Sequence, residues 1–331
     1  MNNMIKMGIC EENLQAKIIG MGYSLGSKKI DNRTLSELIG VSAEYIQKAT
    51  GISHRYWCDN SKDNLYVNMA SAFEQSLNSS GLNFSDIDGI VTISNHSGEF
   101  LLPNTASIVG ALLGYDKLKA YSVASGCAGG LVGLSTVHNE LIVNYLQGKE
   151  QTIAVIAGDE TSKITDPKSL DRALFTDSAS CFILTNKYFD DYFFKVKKTD
   201  HITTLNNFMV LNQKKDGLVK HNGAKVYNFV SREVPKLAKE LEGRVDFSDT
   251  YIVPHQPSGR SLASLAKGFN AAGIYLEGVP SIGNSSPAST FIGLEDAFRK
   301  SLINANKISL ISFDKSIDSL FEPLFLKLPC A

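Results

Sequence analysis

The chain has 331 residues, 43% hydrophobic and 20% charged, and its 33 Lys and Arg against 34 Asp and Glu give a formal net charge of −1. That length accommodates two compact units or one duplicated one, and the charge balance provides no basic field for nucleic acid or anionic lipid. Cys10, Cys58, Cys127, Cys181 and Cys330 form no CxxC pair, so neither a disulfide framework nor a metal site is indicated, and with no secretory signal and no run near the roughly 20 apolar residues of a membrane span a cytoplasmic protein is expected.

In chain order, residues 17–22 (KIIGMG) read as a first strand, 31–40 and 42–50 as two short helices, and 51–57 as a loop or strand edge. Residues 64–79 form an amphipathic helix, with Leu65, Met69, Phe73 and Leu77 on one face. Residues 89–94 are a buried strand and 104–113 a small-residue helix. Two all-apolar strands follow at 152–157 and 179–184. Residues 195–222 are polar and irregular, suited to a flap or edge hairpin. Further on, 227–241 reads as a helix, 251–253 as a buried strand, 261–269 and 289–304 as helices, and 307–313 and 321–328 as strands. Strands alternating with helices argue for an α/β fold around a buried sheet.

The chain is organised around residues 118–135, LKAYSVASGCAGGLVGLS. Residues 120–124 are short, apolar and β-prone, so they read as a buried strand. Ser125 and Gly126 make a turn, and helical spacing then runs to about Gln147. Cys127 therefore stands where a strand ends and a helix begins, a place where orphan N–H groups and the helix dipole favour a thiolate. An inert buried cysteine before a Gly-rich packing site would read the same way. His255 follows the strand 251–253, and Asn284 lies in a Gly-Asn turn before a helix. Strand ends and helix entrances are where open α/β sheets place their sites. Cys, His and Asn together supply a nucleophile, a proton carrier and an amide donor, although each residue also has a plain structural reading.

VASGCAGGLVGL, VPHQPSGR and GNSSPAS, in that order, resemble the three active-site motifs of the β-ketoacyl-acyl-carrier-protein synthase III family, of the thiolase fold. TGISHR, GDETSKITDP and FTDSAS also have counterparts there, so the resemblance covers nearly the whole chain. It implies two similar halves in a five-layer αβαβα arrangement, 1–186 carrying the nucleophile and 187–331 carrying the histidine and asparagine. It implies that Cys127 takes an acyl group from a thioester while its backbone N–H binds the oxyanion. His255 and Asn284 would then stabilise the enolate left by decarboxylation of a malonyl or β-ketoacyl carrier-protein thioester, in fatty-acid or polyketide-type biosynthesis. No tightly bound cofactor is implied. The resemblance implies coenzyme A or phosphopantetheine thioesters as substrates and acyl carrier protein as partner. A homodimer is implied, with Leu102 bordering the partner's acyl pocket. A related branch that joins two long acyl chains has a glutamate there; Leu102 argues against it, with Glu99 nearby.

Several positions depart from the pattern. Tyr45 stands where an adenine-stacking Trp is usual, and Ala49 where an Arg is; Arg260 matches. The Gly-rich loop expected after ISLISF is replaced by residues 314–318, DKSID, and FTDSASC has also lost glycines. These changes suit a specialised role. An acyltransferase passing the acyl group from Cys127 to an alcohol, amine or carbon nucleophile is the alternative, and a non-catalytic partner subunit is the third.

Overall fold

The computed structural model describes residues 15–96, 98–199, 202–204, 211–213, 217–236, 247–314 and 319–327. Its apolar runs supply ten of the eleven strands described in one mixed sheet; the short strand Ile202–Thr204 is the other and pairs antiparallel with the last of the ten. In chain order they are β1 (Lys17–Leu25), β2 (Gly89–Ile93), β3 (Lys119–Val123), β4 (Thr152–Asp159) and β5 (Ser178–Thr185), then β6 (Phe194–Thr199), β7 (Thr250–Pro254), β8 (Gly273–Ile274), β9 (Lys307–Asp314) and β10 (Ser319–Lys327). Their spatial order is β8-β7-β9-β10-β6-β1-β5-β4-β2-β3. The first five strands run 3-2-4-5-1, and the second five repeat that order.

Directions repeat as well. β2 is parallel to β3 and β4, and β7 is parallel to β8 and β9. The remaining pairs within each half are antiparallel. The halves join where β1 meets β6 antiparallel, at Lys17 with Lys195 and Ile18 with Phe194.

Parallel neighbours require crossover connections, and helices supply them. α1 (Thr105–Leu112) links β2 to β3, and α2 (Gly129–Leu146) links β3 to β4. α3 (Gly259–Ala266) and α4 (Ser289–Arg299) do the same in the second half. Strand side chains alternate between faces. Val155 and Ala157 of β4, with Ile308 and Leu310 of β9, join the apolar residues of α2 and α4 in one cluster. Ala154 and Ile156 point the other way, toward the helix Leu65–Ser80 and α1. Ile311 and Phe313 point away from the centre in the same manner, toward α3. The result is five layers with α2 and α4 in the middle. Each fully buried Leu, Ile, Val or Phe contributes roughly 1.5–3 kcal/mol.

Three expectations change. The predicted buried strand at 120–124 is the half-exposed edge strand β3, because only one flank is paired. The stretch read as a flap or edge hairpin begins as β6, a sheet strand joining the halves; Ile202–Thr204 then pairs antiparallel with β10, and Leu211–Asn212 pairs antiparallel with Lys220–His221. The predicted helix 227–241 starts earlier, at Gly223, and carries a π-helical turn at Phe229–Glu233 before α-helix resumes at 234–236; residues 237–246 lie outside the described part.

α2 and α4 approach each other at Gly130, where a Cβ would press against the carbonyl oxygen of Pro287. Gly130→Ala is expected to destabilise the fold by roughly 1–3 kcal/mol through overpacking. The midpoint of denaturant unfolding reads this directly, and an unchanged midpoint would contradict the close approach.

Candidate active site

Two similar turns build the site. After β3, Gly126 takes φ 56°, one 3-10 turn spans Gly126–Ala128, and α2 begins. Before α4, Ser286 takes φ 50°, a 3-10 turn spans Ser286–Ala288, and α4 begins. Glycine accommodates that left-handed backbone; a serine there costs on the order of 1–3 kcal/mol and persists only where its surroundings hold it. The Ser286 N–H donates to Asn284 Oδ1 at 2.9 Å, and its hydroxyl donates to Asp159 Oδ2 at 2.7 Å.

This turn orients Asn284. Its Oδ1 is taken by Ser286, so the Nδ2 group is the end left to the cavity, with only a long 3.4 Å bond to the Pro257 carbonyl. His255 is the first residue past β7. Its backbone N–H donates to the Ile311 carbonyl at 2.7 Å, and its ring stands edge-on to Phe313 with centroids 5.3 Å apart. Nδ1 is buried and has no hydrogen-bond partner among the described residues. Burial lowers the His255 pKa to about 3, so the imidazole is neutral at any working pH.

Cys127 meets two carboxylates. Asp314 ends β9, and its Oδ2 accepts the Cys127 N–H at 2.5 Å. The Ser312 hydroxyl donates to the Cys127 carbonyl at 3.0 Å, so β9 grips both ends of the residue. Asp159 ends β4 and accepts five hydrogen bonds, from the Ser94 hydroxyl, the Asn95 and His96 N–H groups, the Asn95 amide and Ser286. Burial raises the thiol pKa of Cys127 well above its usual value, and Asp314 and then Asp159 raise it further. The thiolate expected from the helix dipole is therefore disfavoured. The Cys127 N–H expected to bind an oxyanion is already donated to Asp314. A half-turn of helix dipole does not outweigh burial beside two anions.

Cys127, His255 and Asn284 line one cavity of about 420 Å³, together with Arg260, Tyr227 and Asp314. A second cavity of about 250 Å³ also touches Cys127 and Asp314 and is lined by Asn95, Thr161, Gln213 and Ser286. Arg260 holds its guanidinium 4.9 Å from the Tyr227 ring centroid. Tyr45 is 55% exposed and lines neither cavity, although Ala49 and Thr50 of its helix do line the larger one. Leu102 is 84% exposed and also lines neither cavity of a single chain.

The sequence reading missed Asp159, Ser286 and the pair His221–Asp171, whose Nδ1 and Oδ1 lie 2.7 Å apart in the wall of the larger cavity. It registered Asp314 only as a lost glycine. An acidic residue closing an apolar strand, as in TIAVIAGD and KISLISFD, was the available signal. Away from the cavities, Cys58, Glu160 and Asp177 cluster. Asp177 accepts from the Ser162 N–H and hydroxyl and from the Cys58 N–H, and Glu160 pairs with Lys163. That is the pattern of a hydrogen-bonded anchor between segments.

No family model matches the chain. A β-ketoacyl-[acyl-carrier-protein] synthase III of Nostoc sp. is 28% identical over 322 residues, covering 90% of this chain and 93% of that protein. Among solved structures, the 3-oxoacyl-(acyl carrier protein) synthase III of Pseudomonas aeruginosa superposes with a TM-score of 0.83 at 21% identity, covering 96% of this chain and 99% of that one. The priming β-ketosynthase of the R1128 polyketide pathway gives 0.81 at 19% identity, covering 95% and 97%. The chain is a divergent relative of these synthases and has their thiolase fold.

His255 is expected to remain uncharged from pH 8 to pH 5. Since its folded pKa is depressed, the stability of the neutral, buried ring is present above the unfolded value near 6.5 and is lost as pH falls toward about 3. Nitrogen-15 NMR of the histidine rings checks this, and a His255 titration near pH 6.5 would contradict the burial.

Proposed function

We propose that this chain is an acyl-thioester condensing enzyme of fatty-acid or polyketide-type biosynthesis, with Cys127 as nucleophile and His255 and Asn284 as the donors for the second substrate. The observation that carries the reading is the convergence of these three side chains, from opposite halves of the fold, on one cavity. The Cys127 sulfur attacks an acyl thioester, displaces the carrier thiol and holds the acyl group. A malonyl-carrier-protein thioester then enters the same cavity. As its carboxylate leaves as carbon dioxide, the bonding pair becomes an enolate. A neutral His255 N–H and the Asn284 amide donate to the enolate oxygen, and the carbanion attacks the acyl carbonyl on Cys127. Neutral donors suit this step because they stabilise the charge without surrendering a proton to the carbanion.

Supporting features belong to the same reading. Arg260, on the cavity wall, suits the phosphate of a phosphopantetheine arm. Tyr45 presents an exposed ring beyond Ala49 and Thr50, suited to a coenzyme A adenine. Phe100, Leu101 and Leu102 are 47%, 65% and 84% exposed in one run, and β3 is an open sheet edge; both favour a homodimer. No helix among the described residues is long and apolar enough to cross a membrane. A second reading, acyl transfer to an alcohol or amine, is favoured by the His221–Asp171 pair, which could deprotonate such an acceptor within the same cavity.

Cys127→Ala is expected to abolish the acyl adduct formed with a reactive acyl thioester, read by intact-protein mass. Asn284→Ala should still load but should lose carbon dioxide release from malonyl-carrier protein by about 100- to 1,000-fold. Wild-type enzyme that loads yet releases no carbon dioxide, with an Asn284→Ala variant that acylates an alcohol normally, would select the second reading. Light scattering should give a dimer mass at micromolar protein, and Leu102→Glu should shift it toward monomer; a monomeric wild type would contradict the assembly.

A further inference from the structure

Resting on the assignment of Cys127 as the acyl-accepting nucleophile, we propose that Asp314 is the general base that takes the Cys127 thiol proton during acyl loading. The geometry begins with β9, whose last residue reaches across to the nucleophile turn. Asp314 Oδ2 accepts the Cys127 N–H at 2.5 Å, which sets this carboxylate beside the same residue's thiol, close enough to raise the thiol pKa. It packs against the α-carbon of Gly126, where any Cβ would collide with it. It also lines both cavities that meet at the sulfur.

Other groups near the sulfur are poorly placed for this task. His255 is held neutral and weakly basic by burial. Asp159 already accepts five hydrogen bonds, which turn its carboxylate toward Ser94, Asn95, His96 and Ser286. The helix start favours a thiolate, but burial and the two carboxylates oppose it. The thiol is therefore protonated in the free protein, and loading requires a base in contact with it.

The step balances. As Sγ attacks the thioester carbonyl carbon, the S–H proton passes to Asp314 and the carbonyl π pair moves to oxygen. Asp314, now a carboxylic acid, is itself a hydrogen-bond donor. It lies against the Cys127 N–H, where the oxyanion needs one, as an uncharged aspartic acid can. Collapse reforms the carbonyl, breaks the bond to the carrier sulfur, and returns the proton from Asp314 to that sulfur. The carboxylate is restored, and one acyl group has moved between two thiols.

A purely structural Asp314 would only satisfy the Cys127 N–H, and a plug would only obstruct loading. The test measures two rates on the full chain: acylation of Cys127 by a reactive acyl thioester and its alkylation by iodoacetamide, each mapped against Cys127→Ala. With Asp314→Asn, acylation should fall about 100-fold or more. Alkylation should rise, because removing the anion frees the thiolate. In Asp314→Ala, added formate should restore part of the acylation. Acylation in Asp314→Asn that is unchanged or faster overturns the proposal. So does a fall in both rates in both variants with no recovery in formate. A wild-type chain that alkylates at Cys127 but accepts no acyl group overturns the condensing reading and this inference with it.

Discussion

A close approach of backbones at the centre of the fold constrains the rest: Gly130 of α2 lies against the Pro287 carbonyl just before α4. The two helix entrances can touch there because Gly130 carries no side chain and meets the Pro287 backbone. The contact lies beside the Cys127 turn, whose backbone Asp314 and Ser312 hold. It brings the ends of β4 and β9 to the same place, and with them Asp159 and Asp314. It also sets the Asn284 amide and the His255 ring on the cavity that Cys127 opens into. A larger residue at 130 would press the two helix entrances apart beside the cavity on which Cys127, His255 and Asn284 converge.

The electrostatics of the site depend on this convergence. Two carboxylates close to a thiol are tolerable when their charge is spread over hydrogen bonds. Asp159 does this with donors from Ser94, Asn95, His96 and Ser286, drawn from both halves. Ser286 keeps its left-handed backbone because Asn284 and Asp159 hold it, and in return it fixes which end of the Asn284 amide faces the cavity. Strain at one residue is thus converted into orientation at another.

Much of this was legible in the sequence. Runs such as TIAVIA and KISLISF announced buried strands because continuous apolar stretches of that length suit a sheet covered on both faces. Cys127, His255 and Asn284 were each found at a strand end or helix entrance, and the structure brings them to one cavity. Burial at an edge was not legible: residues 119–123 are apolar enough for the sheet interior, yet nothing local says which strand lacks a neighbour. The partnership of Cys127 with Asp314 was hidden for a different reason. The two are 187 positions apart, and a strand end in one half says nothing of what it meets in the other. The helix dipole favours a thiolate at Cys127, but burial first and then those two carboxylates raise its thiol pKa, and local reasoning could see neither.

The repeated strand order has a consequence for the site. Gly126 and Ser286 open equivalent turns, Asp159 and Asp314 close the fourth strand of each half, and Ser94 and His255 follow the second. Counted along the two turns, Pro287 falls where Cys127 does. The chain has the form of one unit written twice, in which the equivalent turns carry different residues: Cys127 stands in one copy, while His255 and Asn284 come to the shared cavity from the other.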